Sequence, residues 1–259
     1  MCPGFGKIEA AQWRRQKENP LARGRGIPGN IRKEGKAMEI PIIYEDNHLL
    51  VVNKPVNLLT QADRTGDRDL LSILKQDLKV RYNKPGNVYL GLVHRLDRPV
   101  GGVMILAKTS KAAARLSEQV RNRELEKLYL AVVHGRPKAA DRLVHYLVKD
   151  ARTNTVAVAG RGEGKEAVLE YRRLRSAGGL SLVEVNLVTG RPHQVRVQFA
   201  AIGHPLYGDQ KYGAAVNTPG QQLALFCHQI SCLHPTRRER MTFTLWPQDV
   251  HPWSLLLPR

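Results

Sequence analysis

Short runs of β-branched and apolar residues recur along this chain far more often than helical spacing does, and that imbalance restricts the fold more than any other feature. Residues 39–44 and 48–53 form the first pair, joined by the polar turn Glu45-Asp46-Asn47 and closed by Lys54-Pro55. Such runs, bounded by turn residues, are the mark of strands. The pattern returns at 103–107, 126–133, 143–149, 153–159, 166–175, 180–188, 223–226 and 241–245. Helical spacing is confined to residues 69–80, to a stretch from Ser110 to about Arg123 behind the capping residues Lys108-Thr109, and to 192–202. In the last of these Pro192 suits a first helical turn and Gly203 a stop. Many adjacent strands with few helices predict an α+β domain built on a largely antiparallel sheet.

The ends of the chain differ in character. Residues 1–37 are rich in Arg, Lys, Gly and Pro, which predicts a basic flexible N-terminal extension, with residues 38–259 forming the folded domain. Over the whole chain 41 Lys+Arg stand against 23 Asp+Glu, a formal charge of +18. That excess favours a polyanionic partner through phosphate contacts and counterion release. No run approaches the roughly 18 apolar residues of a membrane span. The start lacks the apolar core of a secretory signal, and three sparse cysteines suit a reducing cytoplasm. No phosphate-cradling GxxxxGK[ST] and no GxGxxG after a strand occur, so no nucleotide cofactor is expected.

Two polar stretches interrupt the strand pattern where chemistry is plausible. The first is His94-Arg95-Leu96-Asp97-Arg98-Pro99-Val100-Gly101-Gly102. Arg95 and Arg98 flank Asp97 and favour its ionised form, and the glycines permit close approach of a substrate backbone. The second is Thr189-Gly190-Arg191-Pro192-His193-Gln194-Val195-Arg196, a dense cluster of cationic and amide side chains. Between them lies Tyr129, which strand alternation places on one face with Lys127 and Ala131. Cys227, His228, Cys232 and His234 do not have the spacing of paired metal ligands, so no metal site is expected. Lys165, Arg172, Arg173 and Arg175 add further cations that suit phosphate contact.

On these residues the chain resembles the RluA-type family of RNA pseudouridine synthases over roughly 39–250. The matching blocks run from Ile43-Tyr44-Glu45-Asp46 through Val52-Asn53-Lys54-Pro55, then His94-Arg95-Leu96-Asp97, then residues 127–135. The last begins at Thr189-Gly190-Arg191, continues through His193-Gln194-Val195-Arg196 and ends at Gly208-Asp209 and Tyr212-Gly213. The resemblance implies a mixed, mainly antiparallel sheet with flanking helices and a catalytic cleft, and isomerisation of uridine in structured rRNA or tRNA without cofactor or metal. It implies that Asp97 is the catalytic aspartate, Tyr129 the aromatic that packs on the target base, and Arg196 the ion-pair partner of Asp97. Arg95 matches a position that holds the flipped nucleotide, and Arg191, His193 and Gln194 are expected to bind substrate. A cytoplasmic monomer with RNA as partner is the expectation. Asp97 either adds to C1′ or removes the C2′ proton, and both routes stay open. Residues 1–37 do not resemble the S4 RNA-binding domain that many relatives carry. Pro99-Val100-Gly101 stands where the family usually has a Thr/Ser-Gly turn. A catalytically silent RNA-binding or ribosome-assembly module on the same fold is the alternative reading.

Overall fold

The structure, a computed structural model, describes residues 38–258; the expected N-terminal extension lies outside the described residues. Its first strands, β1 (Ile42–Glu45) and β2 (Leu49–Lys54), form an antiparallel pair in which Ile42 faces Val52 and Glu45 faces Leu50. The turn between them is tied by Asp46, whose carboxylate accepts from the backbone N–H groups of His48 and Leu49, each at 2.7 Å. Helix α1 (Leu70–Arg81) starts at Asp69, whose side chain accepts from Ser72 N at 3.0 Å, and buries Leu70, Leu74 and Leu78. The short β3 (Gly91–Leu92) then leads through the Asp97 loop to β4 (Gly101–Ala107), buried along its whole length.

Helix α2 (Ser110–Arg121) is capped by Thr109, whose hydroxyl accepts from Ala112 N, and packs on β3, β4 and a later strand. Five strands follow in sequence: β5 (Glu126–His134), β6 (Ala140–Asp150), β7 (Thr155–Ala159), β8 (Lys165–Ala177) and β9 (Leu180–Leu187). Helix α3 (Gln194–Ala201) packs against β6 and β7. The chain closes with β10 (Leu225–Leu233), β11 (Arg240–Thr244) and α4 (Trp253–Leu256), which rests on β8.

All eleven strands join one sheet in the order β1-β2-β4-β10-β5-β9-β8-β6-β7, with β3 on β4 and β11 on β10. Among the described pairs, β4 with β10 is parallel and the others are antiparallel, which makes the sheet mixed and mainly antiparallel. Leu49, Leu50, Val51 and Val52 of β2, Val103 to Ala107 of β4 and Leu130 to Val133 of β5 are wholly buried. Each such branched side chain contributes about 1.5–3 kcal/mol. None of the described helices is long and apolar enough to cross a membrane.

Two elements depart from the expectations. The strand expected over 223–226 begins at Leu225 and runs on to Leu233, since β5 and β11 pair with its polar residues. Pro192 is not in the first turn of α3, because His193 at φ 52° is left-handed and the helix starts only after it.

Candidate active site

Asp97 lies on the loop before β4, and that loop is fixed from beneath by a buried cation. Lys54, the last residue of β2, has no exposed surface. Its Nζ donates to the carbonyl oxygens of Val100 at 2.8 Å, Pro55 at 3.1 Å, Arg98 at 3.2 Å and Asp97 at 3.4 Å. An ammonium has three protons, so four carbonyls share them and none can swing away without loss. Thr60 Oγ1 donates to Leu96 O at 2.7 Å and Val100 N to Asp97 O at 3.0 Å, which leaves the loop little freedom. Burial pushes the Lys54 ammonium down to about 7, against the opposing charge of Asp97.

The cations that face Asp97 are not its neighbours in sequence. Arg98 turns outward to Asp67 at 2.6 Å, and Arg95 is exposed on the cavity rim. Instead Asp97 Oδ2 lies 3.7 Å from Arg196 Nη1 and 3.8 Å from His193 Nε2. Successive residues of a loop point in different directions, so adjacency in sequence does not place charges together. The glycines also have a different use from substrate approach. Gly102 holds φ 121° between β2 and β10, where a Cβ would sit 2.3 Å from the Cys227 carbonyl oxygen. They let two strands close in on β4.

The second polar stretch approaches from α3. Arg196 is buried and donates from Nε and Nη2 to the two oxygens of Asp209 at 2.8 and 2.7 Å, with its guanidinium 5.1 Å from the Tyr212 ring centroid. Burial alone would lower the Arg196 guanidinium, but Asp209 outweighs it and raises it. His193 Nδ1 meets Tyr212 Oη at 2.6 Å, and burial lowers its imidazole while Asp97 opposes that fall. Gln194 is spent on the protein: its Oε1 accepts from Thr189 and from Arg191 N, and its Nε2 donates to Val168 O. Arg191 Nε donates to Glu166 O at 2.9 Å. Of the other cations noted on β8, Arg172 pairs with the buried Glu184 at 3.1 Å.

These residues line one cavity of about 660 Å³, in which Asp97, Arg95, Arg191, His193, Gln194 and Arg196 share the wall with Tyr129 and Lys127 of β5. Burial raises the Tyr129 hydroxyl, and the neighbouring Cys227 and Asp97 add to the effect. Burial lowers the Lys127 ammonium. His94 also lines the cavity; burial and Lys127 hold its ring down at about 3, so it is neutral. Its Nε2 accepts from Ile105 N at 3.0 Å, which leaves the proton on Nδ1, and that atom is buried without a partner. A buried donor left unpaired costs about 1–3 kcal/mol.

Among the described residues no group of three His, Cys, Asp or Glu is arranged to hold a metal ion. His234 donates to Asp46 and accepts two backbone N–H groups, while His228 meets Leu245 O. Sequence reasoning named no role for Lys54, Asp209 or Lys127, although all three fall inside the blocks that carry the resemblance.

The class of enzyme is given by the sequence that builds this sheet and cleft: the model of the RNA pseudouridylate synthase family matches residues 48–201. The chain belongs to that family. Within it the chain is of the RluA type. It is 32% identical to the ribosomal large subunit pseudouridine synthase D of Zymomonas mobilis, over 86% of this chain and 74% of that one. It is 35% identical to an uncharacterized RNA pseudouridine synthase of Synechocystis, over 89% of this chain and 73% of that one. The fold matches the human RNA pseudouridylate synthase domain containing 4 at a TM-score of 0.65 and 23% identity, over 80% of this chain and 88% of that one.

Proposed function

We propose that this chain isomerises specific uridines of ribosomal RNA to pseudouridine, with Asp97 as the group that meets the sugar. The observation that carries the reading is the placement of the Asp97 carboxylate, partly open to the cavity, within 3.8 Å of both Arg196 and His193 and on the same cavity as Tyr129. The ribosomal substrate is supported by relatives named as large-subunit rRNA enzymes. The reaction breaks the N1–C1′ bond, turns the uracil and rejoins it through C5. A carboxylate at the sugar and a surface that retains the loose ring are what it demands. The Asp97 loop supplies the first and the Tyr129 ring the second, while Arg196 and His193 face the carboxylate from α3.

A base within a helix is out of reach, so the nucleotide is extruded at a cost of a few kcal/mol. Arg95, exposed at the rim, and Arg191 are placed to take backbone phosphates or fill the gap. Because reactant and product are isomers, no redox partner or group donor enters the balance, and we read the enzyme as independent of metal and cofactor. We further read residues 38–259 as the catalytic domain, working as a cytoplasmic monomer where ribosomal RNA is met.

The test is a pseudouridine map of cellular rRNA and tRNA with the wild-type protein, without it, and with Asp97→Asn. Loss of one or a few rRNA sites in both altered strains is expected. A map unchanged by removing the protein overturns the reading in favour of a silent RNA-binding module. Loss confined to tRNA overturns the ribosomal assignment.

A further inference from the structure

The cavity holds a second chemical centre that the aspartate reaction does not account for. Lys127 stands two residues before Tyr129 on β5, so both side chains project to the same face. It lines the cavity and is largely enclosed, and among the described residues its Nζ makes no ion pair or hydrogen bond. Its surroundings are poor in counter-charge. The neutral His94 ring lies beside it, the Cys227 thiol is pushed up to about 12 by burial, and Gly190 leaves its Nζ 3.6 Å from where a Cβ would stand. The Nδ1–H of His94 is a second unpaired donor in the same region. Lysines enclosed without a carboxylate partner are costly, and a site keeps one where a negative charge arrives during its work.

Resting on the reading of the site as a uridine isomerase, we propose that Lys127 is the group that receives the negative charge of the uracil ring once it leaves the ribose. When N1–C1′ breaks, its electron pair goes with the ring and spreads over N1, O2 and O4. This holds whether Asp97 has added to C1′ or has taken the C2′ proton. Adjacent strand residues on one face stand about 7 Å apart, so Lys127 reaches the edge of a ring stacked on Tyr129. It donates a hydrogen bond to a carbonyl oxygen and keeps its proton. As C5 bonds to C1′ the ring's electron pair is spent in that bond, while the Asp97–C1′ bond breaks or, on the other route, C2′ takes its proton back from Asp97. The C5 hydrogen then leaves as a proton to solvent and N1 takes one up, so Lys127 is left as it began. A flexible ammonium follows the ring as it turns, which a fixed backbone donor does not.

The experiment uses the full chain in single turnover on in vitro transcribed ribosomal RNA carrying tritium at uracil C5, the position whose hydrogen is lost. Lys127→Met is expected to slow tritium release at least a hundredfold while RNA affinity stays within threefold, and Lys127→Arg to recover most of the rate. With 5-fluorouridine RNA the ring is a better leaving group, so the gap between wild type and Lys127→Met in nucleoside consumption is expected to shrink tenfold or more. A merely structural lysine leaves that gap unchanged between the two RNAs. An equal gap, or wild-type turnover by a folded Lys127→Met, overturns the proposal alone. Failure of the wild type to release tritium from any ribosomal RNA overturns the ribosomal isomerase reading on which the proposal rests.

Discussion

Arg196 is held by Asp209 rather than by Asp97: two short hydrogen bonds at 2.7 and 2.8 Å join it to the buried Asp209, while Asp97 Oδ2 stands off at 3.7 Å from the remaining Nη1. The guanidinium is therefore fixed before any substrate arrives, with one edge left for the carboxylate in the cleft. Asp209 also accepts from Lys211 N and Tyr212 N, so the anchor is itself anchored.

Removing the anchor should harm both folding and chemistry. Asp209→Asn leaves Arg196 buried with a neutral partner, and loss of one member of a buried pair costs about 3–5 kcal/mol. Denaturant unfolding is expected to show a loss of that order. A variant as stable as wild type would mean that Arg196 finds Asp97 or solvent as a substitute.

Lys54 predicts a particular pH dependence. Its folded value near 7 lies below its ordinary 10.5. Below about pH 7 the group is protonated in both states and its burial cost is felt in full. Between about 7 and 10.5 the unfolded chain binds a proton that the folded one lacks, so stability through this group rises with pH. Thermal unfolding of wild type and Lys54→Met, compared from pH 6.5 to 10, should therefore move in favour of wild type. A constant difference would show that the four carbonyls keep the ammonium charged throughout.

Gly102→Ala should be among the most damaging single changes in the chain. A Cβ there meets backbone atoms of Cys227 at 2.3 to 2.8 Å, and backbone cannot yield as a side chain tip can. The left-handed-side φ of 121° adds strain. Soluble expression and hydrogen exchange in β4 and β10 are the measurements, and a normally folded variant would refute the tight approach.

Asp46 sets the opposite sign at low pH. Burial would raise its carboxyl, yet hydrogen bonds from His48 N, Leu49 N, Tyr44 and His234 hold it far below the ordinary 3.8. Its stabilisation is present above that value and is lost as pH falls further. The advantage of wild type over Asp46→Asn, about 1–3 kcal/mol near neutrality, is expected to shrink steadily as pH falls from about 3.8 toward 2. An advantage that persists there undiminished would assign it to packing.

The strands of the core were readable because β2, β4 and β5 are runs of β-branched and aliphatic residues whose burial leaves no other use for them. β10 was read short because Cys227, His228, Gln229 and Ser231 carry no apolar signature; their place depends on β5, β4 and β11, which meet them from elsewhere in the chain. The stretches bearing Asp97 and Arg196 stood out through density of polar groups. What stayed illegible was pairing. Arg98 looked like a partner for Asp97 and turned to Asp67, and the glycines beside it answered to Cys227. Lys54 read as a strand end, because nothing in Lys-Pro tells how many carbonyls will converge on it.

The parallel seam between β4 and β10 has a consequence for biosynthesis. β4 leaves the ribosome early with β2 ready to join one edge and β3 the far end of the other, yet the strand that pairs with its first residues, Gly101 and Gly102, is made more than a hundred residues later. Until then the start of this apolar strand presents unpaired N–H and C=O groups, the kind of edge that recruits strands from other chains. The nascent enzyme thus passes through a window in which speed of synthesis and chaperone cover, rather than the stability of the finished sheet, decide its yield.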